Sequence, residues 1–256
     1  MNSFFTTLRQ RNPILSAFGW ICLISAVVCV GLMLITNVQV LGINAFVKPV
    51  KFFLSSSIFV WTMGWLMGYL RQQRSVRIYS WAITLILAFE LVVVVVKAGL
   101  GQLSHFNVKS ATGGILFSLM GVAITIAILW TLYIAILFLL QRPDELSGTY
   151  LWGIRLGMLI FIVFAFEGGM MAARLAHTVG APDGGAGLPG INWSTQHGDL
   201  RIAHFFGMHA LQLIPLFGYY IARRPFQTVL FAIVYVGAVS WVLLEALAGR
   251  PLIAGL

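Results

Sequence analysis

Glu90, Glu167, His204 and His209 stand inside long apolar stretches, where an ionisable side chain is costly and normally faces a partner, an aqueous path or a site. Glu90 lies in Ala-Phe-Glu-Leu-Val-Val and Glu167 in Phe-Ala-Phe-Glu-Gly-Gly. Carboxylates and imidazoles in combination serve two chemistries. They ligate copper, iron or zinc, and histidines on separate helices can clamp haem iron. They also pass protons near neutral pH. We therefore expect Glu90 and Glu167 as the catalytic, proton-handling carboxylates, and His204, His209, Glu90 and Glu167 as metal ligands. His204, His209, His177 and His105 are the expected cofactor contacts, for haem or a transition metal.

Spacing limits these expectations. His204 and His209 are five residues apart, about 140° around a regular helix, so they are not an i,i+4 ligand pair. Either one of them faces a central site and the other a neighbouring helix, or each faces a different partner. Gln212 shares the side of His209, and Pro215 is expected to bend the helix. The chain has no His-Glu-x-x-His, no Cys-x-x-Cys-His and no His-x-x-x-His of the kind that seven-helix zinc hydrolases use. The last apolar run has no lysine for a retinal Schiff base. Cys22 and Cys29 are about 10 Å apart on a helix, beyond disulfide reach, and read as packing residues.

The elements that must hold these groups follow from composition. Only 9% of the 256 residues are charged and 60% are hydrophobic, whereas a soluble chain carries about 25% charged residues. A soluble enzyme, a disordered regulator and a disulfide-stapled secreted domain are excluded. The net charge of +9 sits in short clusters between apolar runs, which points to membrane anchoring and not to nucleic acid. Seven runs, at 14–38, 50–70, 78–99, 115–140, 151–173, 202–221 and 226–247, each match the roughly 20 residues needed to span the hydrocarbon. The fold expected is a single all-α integral membrane bundle of seven transmembrane helices.

Placing the N-terminus inside puts eight basic residues inside (Arg9, Arg11, Arg71, Arg74, Arg77, Arg142, Arg223, Arg224) and five outside (Lys48, Lys51, Lys109, Arg201, Arg250). The C-terminus is then outside. In that orientation all five histidines, with Glu90, Glu167 and Glu245, fall in or near the outer half. The outer loop 176–200 is rich in glycine and lacks the Lys-Ser/Thr ending of a phosphate loop. It is either a plain connector or a lid that presents Trp193 to His197 over the bundle mouth.

Residues 192–215, Asn-Trp-Ser-Thr-Gln-His-Gly-Asp-Leu-Arg-Ile-Ala-His-Phe-Phe-Gly-Met-His-Ala-Leu-Gln-Leu-Ile-Pro, resemble a stretch of uncharacterised bacterial multi-pass membrane proteins. The resemblance covers 24 of 256 residues and brings no activity with it. It implies a multi-pass cell-membrane protein of the bacterial inner membrane. Three functions are expected, in this order: a metal- or haem-binding redox protein with an electron-transfer partner or a hydrophobic small molecule; an ion-coupled small-molecule transporter; and a structural subunit of a membrane complex. Membrane lipid is a partner in all three.

Overall fold

The computed structural model describes residues 3–108 and 110–254. Lys109, counted above on the outer side, lies outside the described residues. Among those described, seven helices are long and apolar enough to cross a membrane. They are α2 (Pro13–Ile35), α3 (Val47–Met67), α4 (Gln73–Gly99), α5 (Ala111–Leu140), α6 (Gly148–Arg174), α7 (Leu200–Tyr220) and α8 (Pro225–Leu247). The protein is an all-α, multi-pass membrane protein. A short helix, α1 (Phe4–Arg11), precedes them, capped by the Ser3 hydroxyl. Two antiparallel hairpins of two-residue strands, β1–β2 (Gln39–Val40, Ile43–Asn44) and β3–β4 (Thr178–Val179, Gly198–Asp199), complete the described elements.

Helix ends depart from the apolar runs for local reasons. Helix α4 begins five residues before its run, because Arg74 and Arg77 can continue a helix beyond the hydrocarbon. Helix α2 stops at Ile35, where Thr36 turns extended and the Asn44 amide donates to the Met33 and Thr36 carbonyls at 3.2 and 2.9 Å. Pro215 lies inside an unbroken α7.

The chain forms two compact units, Met1–Trp130 and Thr131–Leu256. In the first, Asn12 caps α2 by accepting from Leu15 N, and its amide donates to Ser80 Oγ at 2.7 Å, fixing the start of α2 to α4. Gly64 and Gly68 let α3 approach the chain at Leu8, Arg11 and Asn12: a methyl on Gly68 would lie 2.7 Å from Arg11 Cδ. Every arginine of this unit (Arg9, Arg11, Arg71, Arg74, Arg77) lies where α1 ends, α3 ends and α4 begins. Its described lysines, Lys48, Lys51 and Lys97, belong to the opposite helix ends. Nine basic residues stand against one acidic residue, Glu90, in this unit; the second unit has seven against six.

The second unit is built on a close α6–α7 crossing. A methyl on Gly153 would lie 2.8 Å from Pro215 Cα, and one on Gly157 2.7 Å from the Ala210 carbonyl. Further along, the Phe164 ring occupies the space over Gly207. Ile160, Phe164, Ala203, Ala210, Ile214, Ala232 and Val239 form the core between α6, α7 and α8. Arg155, buried in α6, donates to the Phe138, Leu139 and Gln141 carbonyls at 2.8, 3.3 and 2.9 Å and so caps the end of α5.

Candidate functional site

Glu167 and His204 are brought together in the second unit. The α6–α7 crossing tightens at Gly168, where a methyl would sit 2.8 Å from His204 Cε1, so the imidazole lies against the α6 backbone. His204 Nδ1 is 2.7 Å from the Phe164 carbonyl oxygen. A carbonyl can only accept, so Nδ1 carries the proton and the neutral ring has its lone pair on Nε2. The same Nδ1 is 3.3 Å from Glu167 Oε2. Its proton points at Phe164, so the carboxylate is in electrostatic range without being hydrogen-bonded. Both Glu167 oxygens are buried and accept no hydrogen bond among the described residues. An ionised carboxylate buried this way is expensive unless a positive charge stands beside it.

Glu90 is handled differently in the first unit. It is buried in α4, and its Oε1 accepts no hydrogen bond among the described residues. The Lys48 ammonium, from the start of α3, interacts with it electrostatically. Lys48 Nζ also lies 3.1 Å from His105 Nδ1, so the ammonium donates and the imidazole accepts. His105 is edge-on to Phe52 and Phe117 and next to Phe106. Burial, with Lys48 adding to it, holds His105 well below the usual histidine range, and the ring is neutral. Lys97 Nζ donates to Gln102 Oε1 at 2.8 Å at the same end of the unit. Lys48 carries no signal in the sequence as a site residue: it is 42 positions from Glu90, and its position at the head of an apolar run reads as interfacial anchoring.

The other expected residues go elsewhere. His209 Nδ1 lies 3.2 Å from Gln212 Oε1 and its ring packs edge-on against Phe205, on a different side of α7 from His204. His204 thus meets α6, whereas both of these contacts of His209 lie on α7 itself, so neither arrangement left open by the spacing is seen in full. His177 belongs to the loop: its Nδ1 is 3.3 Å from Asp183 Oδ1, while Asp183 also accepts from the backbone N–H of His177 and Thr178. Arg174 is exposed and does not pair with Glu167; Arg250 grips Glu245 at 2.6 Å. Among the described residues no three His, Cys, Asp or Glu side chains converge in a way that could hold a metal ion.

The loop is a folded cap. Asp199, at the N-cap of α7, accepts from Ser194 N at 2.9 Å and from Arg201 Nε and Nη2 at 2.9 and 2.6 Å; Arg201 also reaches the Asn192 carbonyl. Burial alone would raise the Asp199 carboxyl, but the Arg201 hydrogen bonds and charge, with Ser194, outweigh it and hold it below the ordinary range. At Gly198 the hairpin meets the Ala246 carbonyl of α8 so closely that no side chain would fit. His177, His197, Ser194, Asn192 and Arg201 line a small polar hollow in this cap. It lies at the end of the unit where α6 ends and α7 begins, the end that also holds Glu167 and His204. No protein-family model, curated protein or solved structure matches the chain.

Proposed function

We propose that the protein is an ion-coupled membrane transporter of small molecules, with the proton as coupling ion and Glu167–His204 as the site that takes it up. The observation that carries this reading is a buried carboxylate without a hydrogen-bond donor, 3.3 Å from an imidazole whose tautomer is fixed. In the unloaded state Nδ1 holds its proton for Phe164 and Nε2 is the basic atom. Protonation at Nε2 turns the ring into an imidazolium and cancels the Glu167 charge. Deprotonation leaves the carboxylate uncompensated in an apolar surround. The two states differ by a whole charge inside the unit, which is what couples proton uptake to a change of conformation. Glu90, held beside Lys48, is a fixed counter-charge in the first unit.

A metal- or haem-binding redox role would use the same Nε2 and carboxylate, but it needs further ligands, and none converge on them among the described residues. The orientation in this reading is N-terminus inside and C-terminus outside, with the arginine-bearing end of the first unit facing the cytoplasm. The resemblance of residues 192–215 supports a bacterial inner membrane as the location in this reading.

The test is proton flux in proteoliposomes with an internal pH dye, for the unaltered chain and Glu167→Gln. Proton movement driven by a solute gradient and lost in Glu167→Gln supports the transporter. Undiminished flux in that variant overturns it. Stoichiometric copper, iron or zinc, or a Soret band, in protein purified without chelators would restore the redox reading. Absence of flux and metal together with a tightly bound partner would identify a structural subunit.

A further inference from the structure

We infer that the hollow in the cap binds the carboxylate group of a small organic acid, and that such an acid is the solute carried. The second half rests on the transporter reading; the site itself does not. The hollow belongs wholly to the second unit. Gly184, Gly185, Asn192, Ser194 and His197 of the loop line it, together with Arg201 in the first turn of α7.

The lining offers hydrogen-bond donors, and no acidic side chain is part of it. The two carboxylates of the cap have their oxygens engaged elsewhere. Asp183 accepts from the backbone N–H of His177 and Thr178. Asp199, 1% exposed, accepts from the backbone N–H of Ser194 and Arg201 and from the Nε–Nη2 edge of the Arg201 guanidinium. Nη2 also donates to the Asn192 carbonyl, which leaves Nη1 of Arg201 without a partner among the described residues. Ser194 Oγ accepts from the N–H of Gln196 and His197 at 3.4 and 3.0 Å, so its own proton remains to be donated. The His197 ring lies beside Gly180 and makes no hydrogen bond among the described residues.

A guanidinium edge, a hydroxyl and an imidazole around one small space suit a carboxylate, whose two oxygens lie in a plane and accept several bonds. Asp199 balances the charge of Arg201, so recognition rests on the number of these donors and not on a bare cation. The small size of the hollow restricts the acid to a carboxylate with little carbon behind it. Position then ties the site to the proton. Arg201 and His204 are three residues apart on α7, neighbours on one face and about 4.5 Å apart along the axis. An anion held by Arg201 therefore lies within about one helical turn of the His204 imidazole. Taken up together, anion and proton leave the net charge of the unit unchanged, which removes the cost of burying either alone.

The test is equilibrium binding of radiolabelled acetate to the purified full-length protein at constant pH and ionic strength. Saturable binding, displaced by formate, is expected. Arg201→Lys keeps a charge beside Asp199 but removes the planar fork, and should weaken binding about 30-fold. Ser194→Ala and His197→Phe should each weaken it about 10-fold, and they carry the test if Arg201→Lys loosens the cap. Arg174→Gln, which removes an exposed charge at the same end, should leave it unchanged. Absence of saturable binding, or full affinity in the three cap variants, would overturn the inference. So would displacement by chloride or inorganic phosphate as readily as by formate, which would show a site for inorganic anions. Proteoliposomes separate this inference from the transporter reading. Proton flux driven by another solute, without acetate binding, would overturn the carboxylate site and leave the transporter standing. Acetate binding without acetate-driven proton flux would support the site and overturn the acid as cargo.

Discussion

Each unit buries one glutamate in a membrane helix, and the two have basic groups of different kinds within electrostatic reach. For Glu90 it is the Lys48 ammonium; for Glu167 it is the His204 imidazole, 3.3 Å away. A lysine makes a lasting counter-charge. A histidine makes one that comes and goes with the proton. The surroundings repeat the contrast. The first unit has a single carboxylate among nine cations, while the second has six carboxylates against seven cations and places several of them in direct pairs. The first unit therefore carries an almost unbalanced positive charge, and the second a nearly balanced one.

The largest effect that would break this comparison is on flux. Glu167→Gln should reduce proton flux in liposomes by about 100-fold or more, the usual weight of a positioned proton-transfer group, whereas Glu90→Gln should keep it within a few fold. The reverse result would move the working site to the first unit. Next comes stability, read by unfolding in detergent. Lys48→Met should cost about 2 kcal/mol by removing the cation that acts on buried Glu90, and the double variant Lys48→Met/Glu90→Gln should recover part of that. Arg155→Met should cost about 2 kcal/mol, because three carbonyls at the end of α5 lose their donor. Hydrogen exchange should show that loss in the second unit alone.

A pH scan sharpens the contrast further. The folded first unit holds His105 neutral, so its unfolded state binds the extra proton first. Its stability is complete above the ordinary histidine value and falls as pH drops through about 6.5, by no more than roughly 1.4 kcal/mol for each pH unit. His105→Asn should flatten that slope in hydrogen exchange of the first unit. The smallest effect is expected for Arg250→Gln. It breaks a largely exposed ion pair and should shift stability by no more than about 0.5 kcal/mol.

The membrane class and all seven spanning helices are legible in the apolar runs, because hydrocarbon length dictates their size. Glu167 and His204 stand out in the same runs, since their side chains are wrong for their solvent. Their pairing is less legible. It depends on Gly168 bringing α6 against α7, and nothing in Phe-Glu-Gly-Gly says which helix that glycine will meet. The five-residue spacing did separate His204 from His209, and the structure gives His209 to Gln212. Lys48 and Arg155 escape sequence reading altogether. One looks like an interfacial anchor, the other like a stray charge near a helix start, and each acquires its role only from a partner on another stretch of chain. Helix α1 was missed because eight residues with two exposed phenylalanines are too short and too mixed to register as an apolar run.

The glycine seam of the second unit also decides what can move. Where Gly153 and Gly157 meet Pro215 and Ala210, and Gly207 meets Phe164, the two helices touch almost backbone to backbone. Sliding one along the other would drive a carbonyl or a ring into main chain at each of these points. Helices α6 and α7 thus behave as one stiff lever that carries Glu167 and His204 at fixed spacing. Helix α8 meets this pair through side chains instead: Ala232 and Val239 enter the core, Phe231 stacks on Phe217, and Tyr235 Oη donates to the Phe206 carbonyl. Gly198 of the cap meets its last turn. Relative movement within the second unit therefore meets less resistance at this side-chain contact of α8 than along the glycine seam of α6 and α7.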